Sequence, residues 1–168
     1  MIVGLSGPAG CGKTTHADAL MDYAERHLGY NSLRLPFAGP LKRIAMSMGW
    51  NGKKDEKGRR LLQILGTECG RECIGPNVWV DLWHQEAIKK GVCTLVVADD
   101  VRFDNEVEAV RALGGTVVKL QGEGYDMGQE ANQHASERVP EASDIIWHSS
   151  NTRDPYELAQ YLLGDMRK

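Results

Sequence analysis

A marked excess of charge of either sign is missing from the sequence. Twenty Lys and Arg stand against 23 Asp and Glu, a net charge of −3, so no general field exists to hold nucleic acid or an anionic membrane, and phosphate binding has to be local. Stable nucleic-acid binding and membrane association are therefore not expected. No apolar run is long enough to cross a bilayer. Zinc-ligand spacing is missing too: Cys69 and Cys73 would share one face of a helix, but no second Cys/His pair accompanies them. Both are expected to pack as small buried hydrophobes. With Cys11 and Cys93, and no signal peptide ahead of them, they suggest a reducing cytoplasm. Internal repeats and low-complexity segments are absent. What is present is 168 residues, 26% charged and 42% hydrophobic, the size and make-up of one compact domain, 1–168, able to bury its own core.

Apolar runs alternate with helical patterns. Ile2 to Leu5 reads as a strand buried on both faces, and from Lys13 the residues Ala17, Leu20, Met21, Ala24 and Leu28 recur at helical spacing before Gly29. SLRLPF, from Ser32 to Phe37, predicts a second strand, with Pro40 suited to the first turn of the next helix. NGKKDEKG, residues 51–58, predicts a mobile loop. RRLLQILGTECGRECI resumes a helix interrupted by Gly66 and Gly70, and VWVDLWHQEAIKKG predicts another ending at Gly91. CTLVVA predicts the most apolar strand, delivering Asp99 and Asp100 at its carboxyl end. A helix over about 105–113, the strand GTVVKL, the strand SDIIWH and a last helix entered through Asp154-Pro155 complete the series. The expected fold is α/β: a central parallel sheet of about five strands, helices on both faces, and a small helical substrate-binding and lid portion.

GPAGCGKT, from Gly7 to Thr14, satisfies G-x-x-x-x-G-K-[ST] between the first strand and the first helix. Gly7, Gly10 and Gly12 allow backbone conformations that aim successive N–H groups at phosphate oxygens, and the helix N-terminus adds favourable charge. Lys13 is expected to reach the β- and γ-phosphates and the Thr14 hydroxyl to ligate Mg²⁺. Cys11 occupies a variable slot with no catalytic role required. A plain glycine turn is the alternative, against which the flanking strand and helix speak.

A phosphate loop specifies a ligand, not a reaction. The guanine-reading motif Asn-Lys-x-Asp is absent, since the nearest string, Asn151 to Asp154, lacks the lysine, and 168 residues leave little room for a motor's extra domain. A small-molecule kinase is the economical reading. Asp99 or Asp100 would hold the metal, through water if not directly, and strand alternation points them in opposite directions; helix capping is the other role open to the pair. At 100° per residue Arg60, Gln63, Thr67 and Arg71 fall on one stripe opposite Leu61, Leu62, Leu65, Cys69 and Cys73. Such a stripe commonly means a solvated face, but an enzyme that needs an acceptor site favours a phosphate clamp.

FAGPLKR (Phe37 to Arg43), LLQILGTECGR (Leu61 to Arg71), NVWV (Asn77 to Val80), DVRFDNE (Asp100 to Glu106) and HASE (His134 to Glu137), in this order behind GPAGCGKT, resemble the phage-type deoxynucleoside monophosphate kinases. The resemblance implies a nucleoside monophosphate kinase fold and transfer of the γ-phosphoryl of ATP to a deoxynucleoside 5′-monophosphate, with Mg²⁺. It also implies an acceptor-binding helical portion over about 38–90 and a lid-like region over about 121–138. Carried over by position, Gly7, Ala9, Gly10, Cys11, Gly12, Lys13, Thr14 and Thr15 form the ATP phosphate site, and Arg153 lies where adenine contacts are expected. Arg60, Gln63, Thr67, Arg71, Trp79, Asp100 and Arg102 fall in the monophosphate site, with Lys13, Arg71, Asp100, Arg102 and Arg138 as the catalytic set. For Trp79 a core or interface role stands beside the substrate role, and for His134 the ordering of a loop. One departure is plain: residues 121–137 contain no Arg or Lys, which leaves Arg138 as the nearest lid cation. A homodimer and the cytoplasm, the host's for a phage-encoded chain, are suggested by the resemblance. Dephospho-coenzyme A kinase and a non-catalytic nucleotide-binding protein are the competing readings.

Overall fold

A computed structural model describes residues 1–91, 93–121, 140, 143–148 and 154–164. Five strands among them form one parallel sheet: β1 (Ile2–Ser6), β2 (Asn31–Arg34), β3 (Thr94–Ala98), β4 (Thr116–Gln121) and β5 (Ile145–His148), in the order β2-β3-β1-β4-β5. β1 is the centre strand, with Val3 opposite Val97 on one side and Thr116 on the other. Alternation sorts the strand side chains into two cores. Val3, Leu5, Leu95, Val97, Val118 and Leu120 pack with Ala17 and Leu20 of helix α1 (Lys13–Tyr23) and Leu158 and Leu163 of α6 (Pro155–Leu163). Ile2, Val96, Ala98 and Val117 pack with Trp83 of α4 (Val78–Ala87) and Val107 and Val110 of α5 (Asp104–Ala112). The sheet is thus covered on both faces, as its continuous apolar strands require.

Several local expectations need correction. β2 stops at Arg34 rather than running to Phe37. Leu35 still donates to the Val97 carbonyl at 2.8 Å, but Pro36 has no N–H to give, and the Phe37 and Ala38 amides turn to the Asp100 carboxylate at 2.7 and 3.0 Å. Residues 51–58 are not a free loop. The Trp50 indole donates to the Lys53 carbonyl at 3.0 Å, Lys53 N–H to Asn51 Oδ1 at 3.0 Å, and Asp55 caps α3 (Glu56–Gln63) by accepting from Gly58 N–H at 2.8 Å. Gly66 and Gly70 do not interrupt the next helix either: α3 continues without a break into a π-helical stretch, Ile64–Ile74. α4 ends at Ala87, short of Gly91.

The π-helical stretch changes which residues face inward. Its i→i+5 bonds turn less per residue than an α-helix does, so the stripe drawn at 100° breaks up. Arg60 and Gln63 are exposed, Thr67 and Arg71 are half-buried, and Cys69 and Cys73, expected to pack, are exposed. The glycines admit neighbours instead of ending the helix. A Cβ on Gly70 would lie 2.5 Å from the Trp79 ring, and one on Gly66 3.2 Å from Leu41 of α2 (Gly39–Ser47). Helix α2 packs on α3, on α4 and on the π-helical stretch, which α4 also meets; α2 follows β2 closely, so this helical portion starts from the carboxyl end of that strand.

Candidate active site

The switch point of the sheet lies between β1 and β3: the connection after β1 runs out to β2 on one side, and the connection after β3 runs across β1 to β4 on the other; in open α/β sheets ligands bind outside the carboxyl ends at such a point. The glycine loop leaves β1 there. Gly7, Gly10 and Gly12 have φ of 137°, 79° and 88°, and a Cβ on Gly7 would meet the Leu120 carbonyl at 2.6 Å and Cys11 Sγ at 2.8 Å, so the loop is a backbone cradle that only glycine closes. Ala9 is half-buried and Gly10 exposed on its rim. Cys11 turns inward, 5% exposed, so its side chain supports the loop from below. Lys13 Nζ donates to the Gly7 and Pro8 carbonyls at 2.8 and 2.7 Å, while Thr14 and Thr15 stand exposed at the start of α1. His16, buried below them, places Nδ1 3.0 Å from the Gly12 carbonyl.

The two aspartates after β3 divide their work. Asp99 Oδ2 lies 3.6 Å from Arg34 at the end of β2, and Arg34 also pairs with Asp18 and reaches the Thr14 carbonyl at 3.4 Å. Asp99 is therefore the one tied to the phosphate-loop helix. Asp100 spends both oxygens on the Phe37 and Ala38 amides, fixing the β2–α2 connection against β3. Burial pushes its carboxyl up, against the pull of those two amides, with the Asp99 charge adding to the rise.

Beyond Asp100 a second cluster forms. Glu106, 3% exposed, accepts from Arg102 N–H at 2.8 Å and Phe103 N–H at 3.2 Å through one oxygen and pairs with Arg71 at 2.9 Å through the other. Burial raises it to about 7, with the Asp100 charge acting in the same direction and Arg71 and the two amides opposing. Arg71 also donates to the Pro76 carbonyl at 3.0 Å and lies 3.9 Å over the Phe103 ring. Trp79 is 6% exposed, and its indole N–H is taken by the Gly66 carbonyl at 2.8 Å; this supports the core reading of that residue over ligand contact. Lys54, just before α3, is pushed below its ordinary value by Lys42, by burial and by Arg102, while Asp100 and Asp99 pull it back.

The fold thus brings Lys13, Thr14 and Asp99 together on one side and Asp100, Arg102, Glu106 and Arg71 on the other. Arg60 and Gln63 stay on the exposed side of α3. Arg138, His134, Arg153 and nearly all of the 121–138 region lie outside the described residues. Sequence reasoning missed Arg34 and Glu106. Glu106 carried a faint signal, an acid at the third helical position, where a side chain can reach back to the N-cap amide. Among the described residues no cluster of three or more His, Cys, Asp and Glu side chains could hold a metal ion, and no helix is long and apolar enough to cross a membrane.

Comparison with known proteins agrees with this geometry. A family profile described as deoxynucleotide monophosphate kinase matches residues 50–154. A protein of Acanthamoeba polyphaga mimivirus, provisionally named a deoxynucleotide monophosphate kinase, is 26% identical over 93% of this chain and 92% of its own. The deoxynucleoside-5′-monophosphate kinase of Escherichia phage T5 is 40% identical over 53 residues, 32% of this chain and 21% of its own. In fold, the chain is similar to the APS kinase of Mycobacterium tuberculosis, with TM-score 0.53, 14% identity, and 99% and 97% of the two chains covered. It is also similar to the shikimate kinase of Aquifex aeolicus, with TM-score 0.50, 13% identity and coverage of 99% and 96%.

Proposed function

Because the chain belongs to the deoxynucleotide monophosphate kinase family, we propose that it transfers the γ-phosphoryl group of ATP to a deoxynucleoside 5′-monophosphate, giving ADP and the diphosphate. What supports this reading is the glycine loop with Lys13 after β1 and, after β3, Asp99 tied through Arg34 to the start of α1 and Glu106 joined to Arg71 and the Arg102 amide, which we read as the donor and acceptor halves of a single site.

The residues present fit ATP and magnesium. The loop has no room for a Cβ at Gly7 and holds Gly12 at a φ of 88° that side chains avoid, and a glycine loop of this form at a helix N-terminus offers the backbone N–H donors that a polyphosphate needs. Lys13 exchanges two carbonyl acceptors for phosphate oxygens, which form stronger, charge-assisted bonds. The exposed Thr14 hydroxyl and the Asp99 carboxylate, directly or through water, would hold a magnesium ion, which when bound neutralises the charge of the β- and γ-phosphates. Arg34 meets both Asp99 and the Thr14 carbonyl and so ties the two segments together.

On the acceptor side Thr67, Arg71 and Arg102 receive the monophosphate, with the exposed Arg60 and Gln63 at the edge of the helix nearer the nucleoside. Glu106 holds Arg71 and the Arg102 backbone in register, and Asp100 holds the β2–α2 connection. An oxygen of the acceptor phosphate forms a bond to the γ-phosphorus as the bond from that phosphorus to the bridging oxygen breaks, its electron pair leaving with ADP. The acceptor is already ionised, so positioning and charge neutralisation suffice and no strong base is required. Arg138 and Arg153 remain candidates for the lid and adenine contacts, and 1–168 is read as one domain, acting as a homodimer in the cytoplasm.

The test is acceptor-stimulated ADP release with purified protein, ATP and a panel of deoxynucleoside monophosphates beside dephospho-coenzyme A. Stimulation by one or more monophosphates, lost in Lys13→Ala with an unchanged circular-dichroism spectrum, is the expected result. Stimulation by dephospho-coenzyme A alone, or slow hydrolysis that no acceptor accelerates, overturns it.

A further inference from the structure

We propose that Phe103 and Glu106, at the start of α5, form a rigid seat that presents the uncommitted donors of Arg71 to the acceptor phosphate, which makes Phe103 a positioning residue. The proposal rests on the monophosphate kinase reading and adds to it a role for the ring and the amide of DVRFDNE.

Arg71 stands near the end of the π-helical stretch, and its guanidinium is met from three directions. Nη1 donates to the Pro76 carbonyl at 3.0 Å, Nη2 donates to Glu106 Oε1 at 2.9 Å, and the carbon between them lies 3.9 Å from the centre of the Phe103 ring. The two hydrogen bonds fix the direction of the group, and the ring beneath it limits its tilt.

One short stretch supplies the whole seat. Glu106 Oε2 accepts from Arg102 and Phe103 N–H at 2.8 and 3.2 Å, so the carboxylate that holds Arg71 also pins the backbone that carries the ring. Asn105, between them, donates to the Pro76 carbonyl at 3.2 Å and to Asn77 Oδ1 at 2.8 Å, which fixes the very carbonyl that Nη1 uses. Glu106 is buried and Phe103 and Arg71 are half-buried, so packing restricts any rearrangement of the cluster.

These contacts do not saturate Arg71. A guanidinium carries several N–H donors in a planar fork; one on each terminal nitrogen is spent, and among the described residues no acceptor meets Nε–H. The side chain is 16% exposed, which leaves an opening for an anion to meet the remaining donors. A carboxylate that only closed an ion pair would turn both oxygens to the arginine. Glu106 gives one of them to the backbone instead, and the fork keeps donors for a phosphate. Because the seat orders a rotamer-rich side chain on folding, the monophosphate meets a group already in place. A lysine could not be seated in this way, since an ammonium has neither a plane to stack nor a fork to aim.

The experiment compares Phe103→Leu, Phe103→Tyr, Arg71→Met, the double variant Phe103→Leu/Arg71→Met, and the control Glu108→Gln at an exposed position of α5 with the wild type. Expected is a rise of about 3- to 30-fold in KM for the monophosphate in Phe103→Leu, with kcat nearly unchanged. Phe103→Tyr should recover most of it, Glu108→Gln should behave as the wild type, and ADP affinity by calorimetry should stay the same throughout. In the Arg71→Met background Phe103→Leu should have no further effect, because the ring acts only through the guanidinium. In parallel, labelling of arginines by phenylglyoxal, read by mass spectrometry, should modify Arg71 faster in Phe103→Leu than in the wild type, where inorganic phosphate protects it. A wild-type KM in Phe103→Leu, or single losses that multiply in the double variant, overturns the proposal while turnover preserves the parent reading. Phosphate protection of Arg71 that weakens in Phe103→Leu, in a protein that phosphorylates no monophosphate, leaves the seat standing and refutes the acceptor assignment.

Discussion

With burial raising the Glu106 carboxyl from 4.5 to about 7, the folded protein holds a proton in a pH range where the unfolded chain has released it. The contribution to stability is therefore full below about 4.5, declines as pH rises through about 7 and is flat above. At ~1.4 kcal/mol per pKa unit the decline is on the order of 3 kcal/mol. Thermal melts of the wild type between about pH 5 and 8 should show this fall, and Glu106→Gln should show a clearly smaller one; a variant with the same pH slope as the wild type refutes the assignment. Asp100, raised by burial as well and coupled to Glu106 through its charge, leaves a fall of its own in the variant, so the variant's slope is expected to be shallower rather than zero. The motif DVRFDNE pointed to this spot, but that Glu106 is the buried hub between Arg71 and the Arg102 amide was not legible, because a string of residues carries no measure of burial.

At the scale of elements, the helix running from Glu56 to Ile74 shows how a local rule can be overridden. Glycine weakens a helix interior by ~1 kcal/mol, which is why Gly66 and Gly70 read as interruptions. Packing outweighs that cost: Trp79 lies against Gly70 and donates to the Gly66 carbonyl. Gly70→Ala should raise helix propensity yet destabilise the protein by ~1–3 kcal/mol through overpacking, and Trp79→Phe in the same chain should recover part of the loss. Urea unfolding of the two single variants and the double variant measures this; additive losses would show that the two residues do not meet. The same packing explains why the acceptor stripe was only half readable. An α-helical wheel assumes one rotation per residue, and a stretch of i→i+5 bonds breaks that assumption.

At the scale of the whole molecule, the sheet is a layer between two cores, and α6 closes one of them with Leu158 and Leu163, both fully buried. Leu158→Ala should cost ~2–5 kcal/mol, whereas Met48→Ala, at a side chain 64% exposed, should stay within ~0.5 kcal/mol; equal losses in chemical denaturation would contradict this layering. The sequence by itself determined the strand–helix alternation, the phosphate loop and the order of the charged motifs, because these depend on neighbours within a few residues and on the periodicities of single elements. It also marked Asp99 and Asp100 as the acidic pair that follows the third strand, although both lie in the turn beyond Ala98, where strand alternation no longer applies. Only the tertiary structure decided which of the two is tied to Thr14 and which holds the β2–α2 connection, and that Arg71 is committed to Glu106. Those outcomes depend on pairs of residues far apart in the chain, brought together by parallel crossovers, and on desolvation, which arises only once the layers have closed around the group.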